Sequence, residues 1–330
     1  MTNDMASWNG KRTFFLGVNT GFVSHGEPNS RFVEFYRQRS SEKLHCAIVG
    51  NVVVPGGHKS NHSTPTIGAN SVWSEIAHAI QECGTLPGIQ LATAWEGYEG
   101  SRSFLSAGGE LVIDQAKSLV QSLGQSGLDE TLESFRSAAT IAVDHGFKHI
   151  QIHAAHGYLL SLLVDPRINP EASRVEDHLK ELAKWLQSVG VESSIRISMQ
   201  TGDIAFDAIG DEEFQDRIAT LPLDFIDLSS GFYNINKRLI YPALESVIDA
   251  RFQKSVDIAE RHPARNFIFS GRVMQNMDRL PRNGHIGLCR DLIANPQFLA
   301  EPEDGCRNYG KCHYFSRGKK NIECSKWNEV

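Results

Sequence analysis

The chain has 330 residues, a net charge of −6 and a pI near 6.1, and it has no basic stripe that would bind nucleic acid. No apolar run reaches the ~20 residues that a membrane span needs, and the N-terminus has no apolar signal-peptide core, so we expect a cytoplasmic protein with no membrane partner. With 41% apolar residues the chain can bury a large core, and one domain can use residues 1–330, with a cysteine-containing tail from about residue 301.

Short β-rich segments alternate with helix-periodic stretches along most of the chain. Apolar residues between Leu128 and His145 recur on one helical face, and Gly146 closes that helix. A second helix is predicted over Ala243–Arg261. The predicted strands are Arg12–Val18, Leu44–Val54, Gly88–Thr93, Lys148–His153, Ser194–Met199, Asp224–Ser229, Asn266–Ser270 and His285–Arg290.

Eight β–α units in series fit either a closed barrel or a doubly wound sheet. A doubly wound dinucleotide fold carries a G-x-G-x-x-G turn after its first strand, and this sequence has none. The predicted fold is therefore an α/β protein with a (β/α)8 TIM barrel.

Two long loops leave the predicted carboxyl ends of strands, where barrel enzymes place their sites. Trp95–Gly109 is rich in Gly and Ser and carries three aromatic side chains, and Gly231–Ala243 carries three more. These loops either roof a planar ligand or pack on the barrel rim, and the sequence leaves both interpretations open.

The segment H-A-A-H-G-Y-L-L, residues 153–160, begins at the end of the fourth predicted strand. A strand that ends at His153 and coils through Gly157 can bring His153, His156 and the Tyr158 hydroxyl into one pocket. Two neutral imidazole N–H groups can bind one carbonyl oxygen, and a phenol can protonate carbon. The alternatives are packed rim residues, or metal ligands; the other strand ends offer no ligand set, so no metal is predicted.

Arg196 lies between two isoleucines in the fifth predicted strand, where a cation is costly unless it meets an anion. We expect a bound flavin to supply that anion; the alternative is an arginine that faces outward, on the helix side of the strand. The ends of the seventh and eighth strands form the usual phosphate site of such barrels, and in this chain they carry Ser270, Gly271, Cys289 and Arg290.

With these motifs the sequence resembles the old yellow enzyme family of FMN-dependent NADH:flavin oxidoreductases, most specifically over residues 153–160. The resemblance implies FMN as cofactor and NADH or NADPH as electron donor. It implies that a small unsaturated carbonyl substrate, or a phenolate, is held by His153 and His156. Hydride from flavin N5 and a proton from Tyr158 then reduce the activated C=C bond, and a homo-oligomer is possible.

The same resemblance assigns residues to the flavin. Thr20 matches the residue at the flavin O4, and Gln90 matches the glutamine at the pyrimidine edge. Arg196 matches the arginine at N1, and Asn51 lies in the segment beneath the ring. The phosphate residues implied by the family pattern are Ser270, Gly271, Cys289 and Arg290.

Two functions remain as alternatives. One is a flavin-dependent dehydrogenase or desaturase that runs the reaction in the reverse direction in a biosynthetic pathway. The other is a flavin-free barrel that binds or hydrolyses a ligand through the histidine pair. The family's H-A-G-R segment is replaced in this chain by residues 93–96, T-A-W-E, which bears on the substrate rather than on the cofactor.

The tail holds Cys306, Cys312 and Cys324, which resemble the cysteine set that binds an iron–sulfur cluster in larger members of the family. Tyr309 stands where a further cysteine is needed, so no cluster is expected. The alternative is a metal held by the three cysteines and His313. The expectation is a short family form without the iron–sulfur and dinucleotide domains.

Overall fold

Eight parallel strands close into a barrel in the computed structural model, which describes residues 10–106, 108–308 and 310–328. Around the barrel the order is β1-β8-β7-β6-β5-β4-β3-β2, so chain neighbours are also spatial neighbours. The predicted fold class is confirmed, and each predicted strand overlaps one observed strand. The strands are β1 Thr13–Phe15, β2 Cys46–Val53, β3 Leu86–Ala92, β4 His149–Ala154, β5 Glu192–Ser198, β6 Phe225–Ser229, β7 Phe267–Phe269 and β8 Gly284–Leu288.

Helices follow the strands and cover the outside of the barrel. The described secondary structure also includes a short β-hairpin, in which the two-residue strands Val23–Ser24 and Glu27–Pro28 pair. Three 3₁₀ turns complete it: Val273–Arg279, Phe315–Arg317 and Ser325–Asn328. The helices are α1 Ser30–Gln38, α2 Val72–Gln81, α3 Gly109–Asp144, α4 Leu159–Leu163, α5 Ala172–Ser188, α6 Ile204–Asp207, α7 Asp211–Ala219, α8 Lys237–Ile240, α9 Glu245–Arg261 and α10 Arg290–Ala294.

The barrel strands are apolar on both faces because helices cover one face and the barrel interior buries the other. All eight residues of β2 are buried. The amino-terminal end of the barrel interior is packed with Phe14, Leu16, Cys46, Ile48, Phe225 and Ile268. This packing leaves the carboxyl-terminal mouth as the end at which a ligand can enter.

Helix α3 begins earlier than the sequence pattern predicts. Periodicity indicated a helix from Leu128, but the structure starts it at Gly109 and breaks it at Gly124, which has φ 61° and ψ −171°. The first half mixes polar and apolar residues, and it buries Ile113, Ala116 and Val120 in the core. No helix among the described residues is both long and apolar enough to cross a membrane.

Candidate active site

A deep cavity opens at the carboxyl-terminal mouth of the barrel. Its volume of about 210 Å³ compares with 20 Å³ for the next cavity described, so this mouth is the candidate site. Strand ends line its floor, while the loops after β3 and β6 and the tail line its walls. Of the predicted site residues, the cavity is lined by Asn51, Gln90, His153, His156, Tyr158, Arg196, Ser270, Gly271, Cys289 and Arg290.

The turn after β4 places both histidines and the tyrosine in the cavity. His156 and Gly157 both take left-handed backbone conformations, with φ 66° and 79°, and they turn the chain sharply into α4. A Cβ on Gly157 would come within 3.1 Å of the Phe232 ring. The ring centres of His153 and His156 lie 5.1 Å apart, and those of His153 and Tyr158 lie 5.0 Å apart.

Hydrogen bonds assign the protons of the two imidazoles. His153 Nδ1 accepts from the Ala155 N–H at 3.2 Å, so its proton is on Nε2. His156 Nε2 lies 2.7 Å from Ser229 Oγ, and that hydroxyl accepts from Arg196, so it can donate its own proton to Nε2. His156 then carries its proton on Nδ1, which is buried and has no partner among the described groups. Each ring keeps one N–H donor unspent.

Burial and positive neighbours keep both imidazoles neutral. Desolvation, followed by the charge of Arg196, lowers the pKa of His153 to about 3. Desolvation also places the pKa of His156 well below its usual value, with His153, Arg196 and Arg251 acting in the same direction. At neutral pH both rings are hydrogen-bond donors without charge.

The Tyr158 phenol is enclosed by other aromatic rings. It is 6% exposed, stacks on Tyr233 at 5.6 Å and meets Tyr98 edge-on at 5.6 Å. Burial raises its pKa, and so does Tyr233, while hydrogen bonds with Ser60 and Asn51 act in the opposite direction. The hydroxyl is therefore protonated at neutral pH.

Arg196 meets a protein anion, which corrects the expectation that a flavin alone would supply one. Its Nη1 contacts Asp227 Oδ2 at 2.5 Å, and the two residues are in register on β5 and β6. The Asp227 carboxylate also accepts from Gln151 Nε2 at 3.2 Å, and Gln151 Oε1 accepts from Gln90 Nε2 at 2.6 Å. A polar chain thus crosses the barrel under the cavity. The aspartate in F-I-D-L-S was the overlooked sequence signal.

Three arginines line the cavity beside the predicted phosphate residues, and Arg251 also reaches Ser229, the hydroxyl next to His156. Arg251 projects from α9, and a Cβ on Gly271 would lie 2.8 Å from its guanidinium carbon, so the left-handed glycine lets the two meet. Arg272 and Arg290 follow β7 and β8. The Nε atoms of Arg251 and Arg272 are buried without a partner among the described groups. Sequence reasoning missed Arg251, since a lone arginine in a helix carries no local signal.

Thr20 is fully buried and is not among the residues that line the cavity. Its Oγ1 accepts the Phe22 N–H at 3.2 Å and closes a local turn. Its neighbour Asn19 lines the cavity instead. Cys289 does line the cavity, and burial raises the pKa of its thiol to about 12, so it is a thiol rather than a thiolate.

The tail folds back over the cavity mouth. Tyr314 donates its hydroxyl to Asn19 Oδ1 at 2.9 Å, and the His313 ring lies 4.2 Å from the ring of Tyr241. Within the described ranges, no group of three or more His, Cys, Asp or Glu residues has an arrangement that can hold a metal. The expectation that no iron–sulfur cluster binds depends on Tyr309, which lies outside the described residues.

The cavity fits FMN at three points. The unpartnered guanidinium nitrogens and the cradle at Gly271 suit a phosphate, since Arg pairs with phosphate through several N–H groups. Gln90 and Arg196 also line the cavity, and their polar groups can bind a pyrimidine edge. The histidine pair and Tyr158 line the same cavity.

Comparison with known proteins decides the family. The family model described as NADH:flavin oxidoreductase / NADH oxidase matches residues 16–307. This chain belongs to that family. It is 24% identical over 231 residues to an NADPH dehydrogenase of Geobacillus sp. (strain WCH70), covering 67% of each chain. It is 25% identical over 292 residues to an NADPH dehydrogenase of Halalkalibacterium halodurans, covering 82% of each. It is 24% identical over 186 residues to 12-oxophytodienoate reductase 7 of Oryza sativa subsp. japonica, covering 50% of this chain and 46% of that one.

Membership confirms the resemblance seen in the sequence. This family member is an FMN-dependent NAD(P)H oxidoreductase, so the predicted enzyme class and cofactors are confirmed. The single-domain organisation, the individual site roles and the cytoplasmic location stay predictions.

Proposed function

We propose that the enzyme uses NADH or NADPH to reduce the activated C=C bond of a small enone-type substrate, with Tyr158 as the proton donor. The observation that carries this proposal is that three proton-bearing groups belong to residues lining one cavity. These are the Nε2–H of His153, the Nδ1–H of His156 and the Tyr158 hydroxyl. Names of similar proteins, NADPH dehydrogenase and 12-oxophytodienoate reductase, agree with it.

FMN, when bound, supplies hydride exchange between the nicotinamide and the substrate. In the proposed arrangement Gln90 and Arg196 bind its pyrimidine edge, and Asn51 lies beside the ring. Its phosphate is held by Ser270, Gly271, Cys289 and Arg290, joined by Arg251 and Arg272.

The histidine pair binds and polarises the substrate carbonyl. Because both rings are neutral, each donates one N–H without adding a charge that would have to be desolvated. Donors aimed at one oxygen stabilise the enolate-like charge that develops there as hydride reaches the β-carbon. The hydrogen bonds from Ala155 and Ser229 fix the two tautomers in advance.

Tyr158 delivers the proton to the α-carbon. Its enclosure by Tyr98 and Tyr233 keeps the phenol protonated. The 5.0 Å separation of its ring from His153 places a donor for carbon next to a donor for the carbonyl oxygen. That pairing is what protonation next to a carbonyl requires.

The two half-reactions test the role of Tyr158. Tyr158→Phe keeps the ring and removes only the hydroxyl, so reduction of the holoenzyme by NAD(P)H should be unchanged. Reoxidation by an unactivated enone should slow by roughly 10²–10⁴-fold, which is the usual value of a positioned general acid. Reoxidation by a quinone, which needs no proton on carbon, should be spared. Stopped-flow absorbance resolves both half-reactions.

The matched control is Tyr98→Phe, which removes a hydroxyl from the same cavity wall and leaves the ring in place. It should reduce enones at the wild-type rate. Enone reduction at the wild-type rate by Tyr158→Phe itself would assign the proton to another group, and the dehydrogenase or desaturase direction would then be favoured. His153→Ala and His156→Ala should weaken binding of a phenolate ligand.

A further inference from the structure

Lys237, the first residue of α8, is a buried cation in the wall of the cavity. It is 2% exposed, and it was not singled out by any sequence motif. Its ammonium donates to the backbone carbonyl of Ser101, in the loop after β3, and to the Ser316 hydroxyl, 3.0 Å away in the tail. Among the described residues no carboxylate lies within ion-pair distance of it.

A buried ammonium with only neutral partners is costly, because two hydrogen bonds do not replace the lost hydration of a full charge. The ammonium has three N–H donors, and the two contacts with serine residues leave one unspent. Desolvation lowers the pKa of Lys237 to about 8, and no acidic neighbour opposes that shift. The lysine is thus placed to gain from an anion that enters the cavity.

The position of Lys237 is on the substrate side of the cavity. Its ammonium lies 5.9 Å from the ring centres of Phe104 and Tyr233. Tyr233 in turn contacts His156 at 5.4 Å and stacks on Tyr158 at 5.6 Å. One aromatic ring therefore separates the lysine from the residues proposed to bind the substrate carbonyl.

We propose that Lys237 binds a carboxylate of the substrate, so that the enzyme acts on enone-type acids held at two points. The histidine pair holds the carbonyl oxygen, and Lys237 holds the carboxylate beyond the Tyr233 ring. This inference rests on the proposed function. It adds the class of substrate: an α,β-unsaturated carbonyl compound with an anionic arm, in preference to its neutral counterpart.

The test compares acids with their methyl esters. Cyclic enones with a carboxylate on an arm of increasing length, and the matching esters, are titrated into the oxidised holoenzyme by calorimetry. For at least one arm length the acid should bind roughly tenfold tighter or more, which is the contribution of a hydrogen bond to a charged group. Lys237→Gln should abolish the preference, and Lys237→Arg should retain part of it.

Arg238→Gln is the matched control, since it removes a positive charge from the next residue, which is exposed to solvent. It should keep the preference for the acid. Two measurements on Lys237→Gln test whether the lysine binds a different anion instead of the substrate carboxylate. A tenfold loss of FMN affinity would place the lysine at the cofactor phosphate, and a loss confined to NADPH over NADH would place it at the nucleotide phosphate. Either result overturns the proposal.

The outcomes also separate this inference from the proposed function. If acid and ester bind equally at every arm length and are both reduced, only the role of Lys237 is refuted. If the wild-type holoenzyme neither binds nor reduces any of these enones, the proposed function falls and this inference falls with it. If Lys237→Gln does not fold, the acid-over-ester ratio of Lys237→Arg and wild type still decides.

Discussion

The Arg196–Asp227 ion pair should be a main determinant of the stability of the barrel mouth. Asp227 is fully buried, and the side chain of Arg196 is 12% exposed. If one partner is removed, water can therefore solvate little of the charge that remains. One carboxylate oxygen of Asp227 accepts from both Arg196 and Gln151, and the other has no partner among the described groups. Burial raises the pKa of Asp227, and the charge of Arg196 acts against that shift.

Asp227→Ala leaves the Arg196 guanidinium enclosed without its counter-charge. Breaking a buried pair in this way costs about 3–5 kcal/mol, most of it the uncompensated charge that remains. We expect the free energy of unfolding of the FMN-free protein to fall by that amount. Replacing both partners, as in Arg196→Met with Asp227→Leu, should cost far less, because no charge is left behind. The double-mutant cycle should therefore give a coupling of several kcal/mol.

Urea unfolding followed by far-UV circular dichroism measures these free energies. The protein must be FMN-free, since a bound ligand adds its own binding free energy to the stability. Asp129→Ala is the control, because the exposed pair of Asp129 with Arg174 should contribute only about 0.2–1 kcal/mol. A loss below about 1 kcal/mol for Asp227→Ala, or strictly additive effects in the cycle, would refute the stabilising role of the Arg196–Asp227 pair.

Two further predictions concern the phosphate end and the base of the barrel. Arg290→Ala or Arg251→Ala should weaken FMN binding by about 3–5 kcal/mol. Riboflavin, which lacks the phosphate, should bind variant and wild type alike. Fluorescence titration measures both affinities, and an unchanged FMN affinity would show that the phosphate binds elsewhere. At the base, burial raises the pKa of Glu192, but hydrogen bonds from His149 and His45 outweigh burial and hold it well below its usual 4.5. The contribution of Glu192 to stability is present above pH 4.5 and is lost as the pH falls below it. The melting temperature of Glu192→Gln should therefore fall less steeply in acid than that of the wild type. Parallel profiles of melting temperature against pH for the two proteins would contradict this.

Sequence reasoning predicted the parts of this enzyme that local patterns encode. The strands followed from short β-branched and aromatic runs, and the H-A-A-H-G-Y segment could be placed at a strand end because Gly157 marks a turn. The histidine pair and Tyr158 need only that one turn to meet, so a single segment of sequence contains their geometry. Their common cavity was predicted on that ground.

Features that depend on distant partners could not be read from the sequence. Asp227 is one position in an apolar strand, and only the register between β5 and β6 shows that it faces Arg196. Lys237 is bonded by Ser101 and Ser316, which are far from it in sequence. The first half of α3 is different, because Ile113, Ala116 and Val120 recur there at helical spacing and the sequence does carry the signal.

The charges around the cavity show why the lysine needs a partner beyond the cofactor. The cavity is lined by five arginine and lysine side chains: Arg196, Arg251, Arg272, Arg290 and Lys237. Asp227 neutralises Arg196, and Asp291 lies 3.5 Å from Arg272. A phosphate monoester brings a charge of roughly −1.5 to −2, which matches the two remaining arginines at its end of the cavity. The phosphate is then fully balanced, and the ammonium of Lys237 still lacks an anion. A neutral enone would leave that charge buried and unpaired, whereas an enone acid completes the balance with one carboxylate.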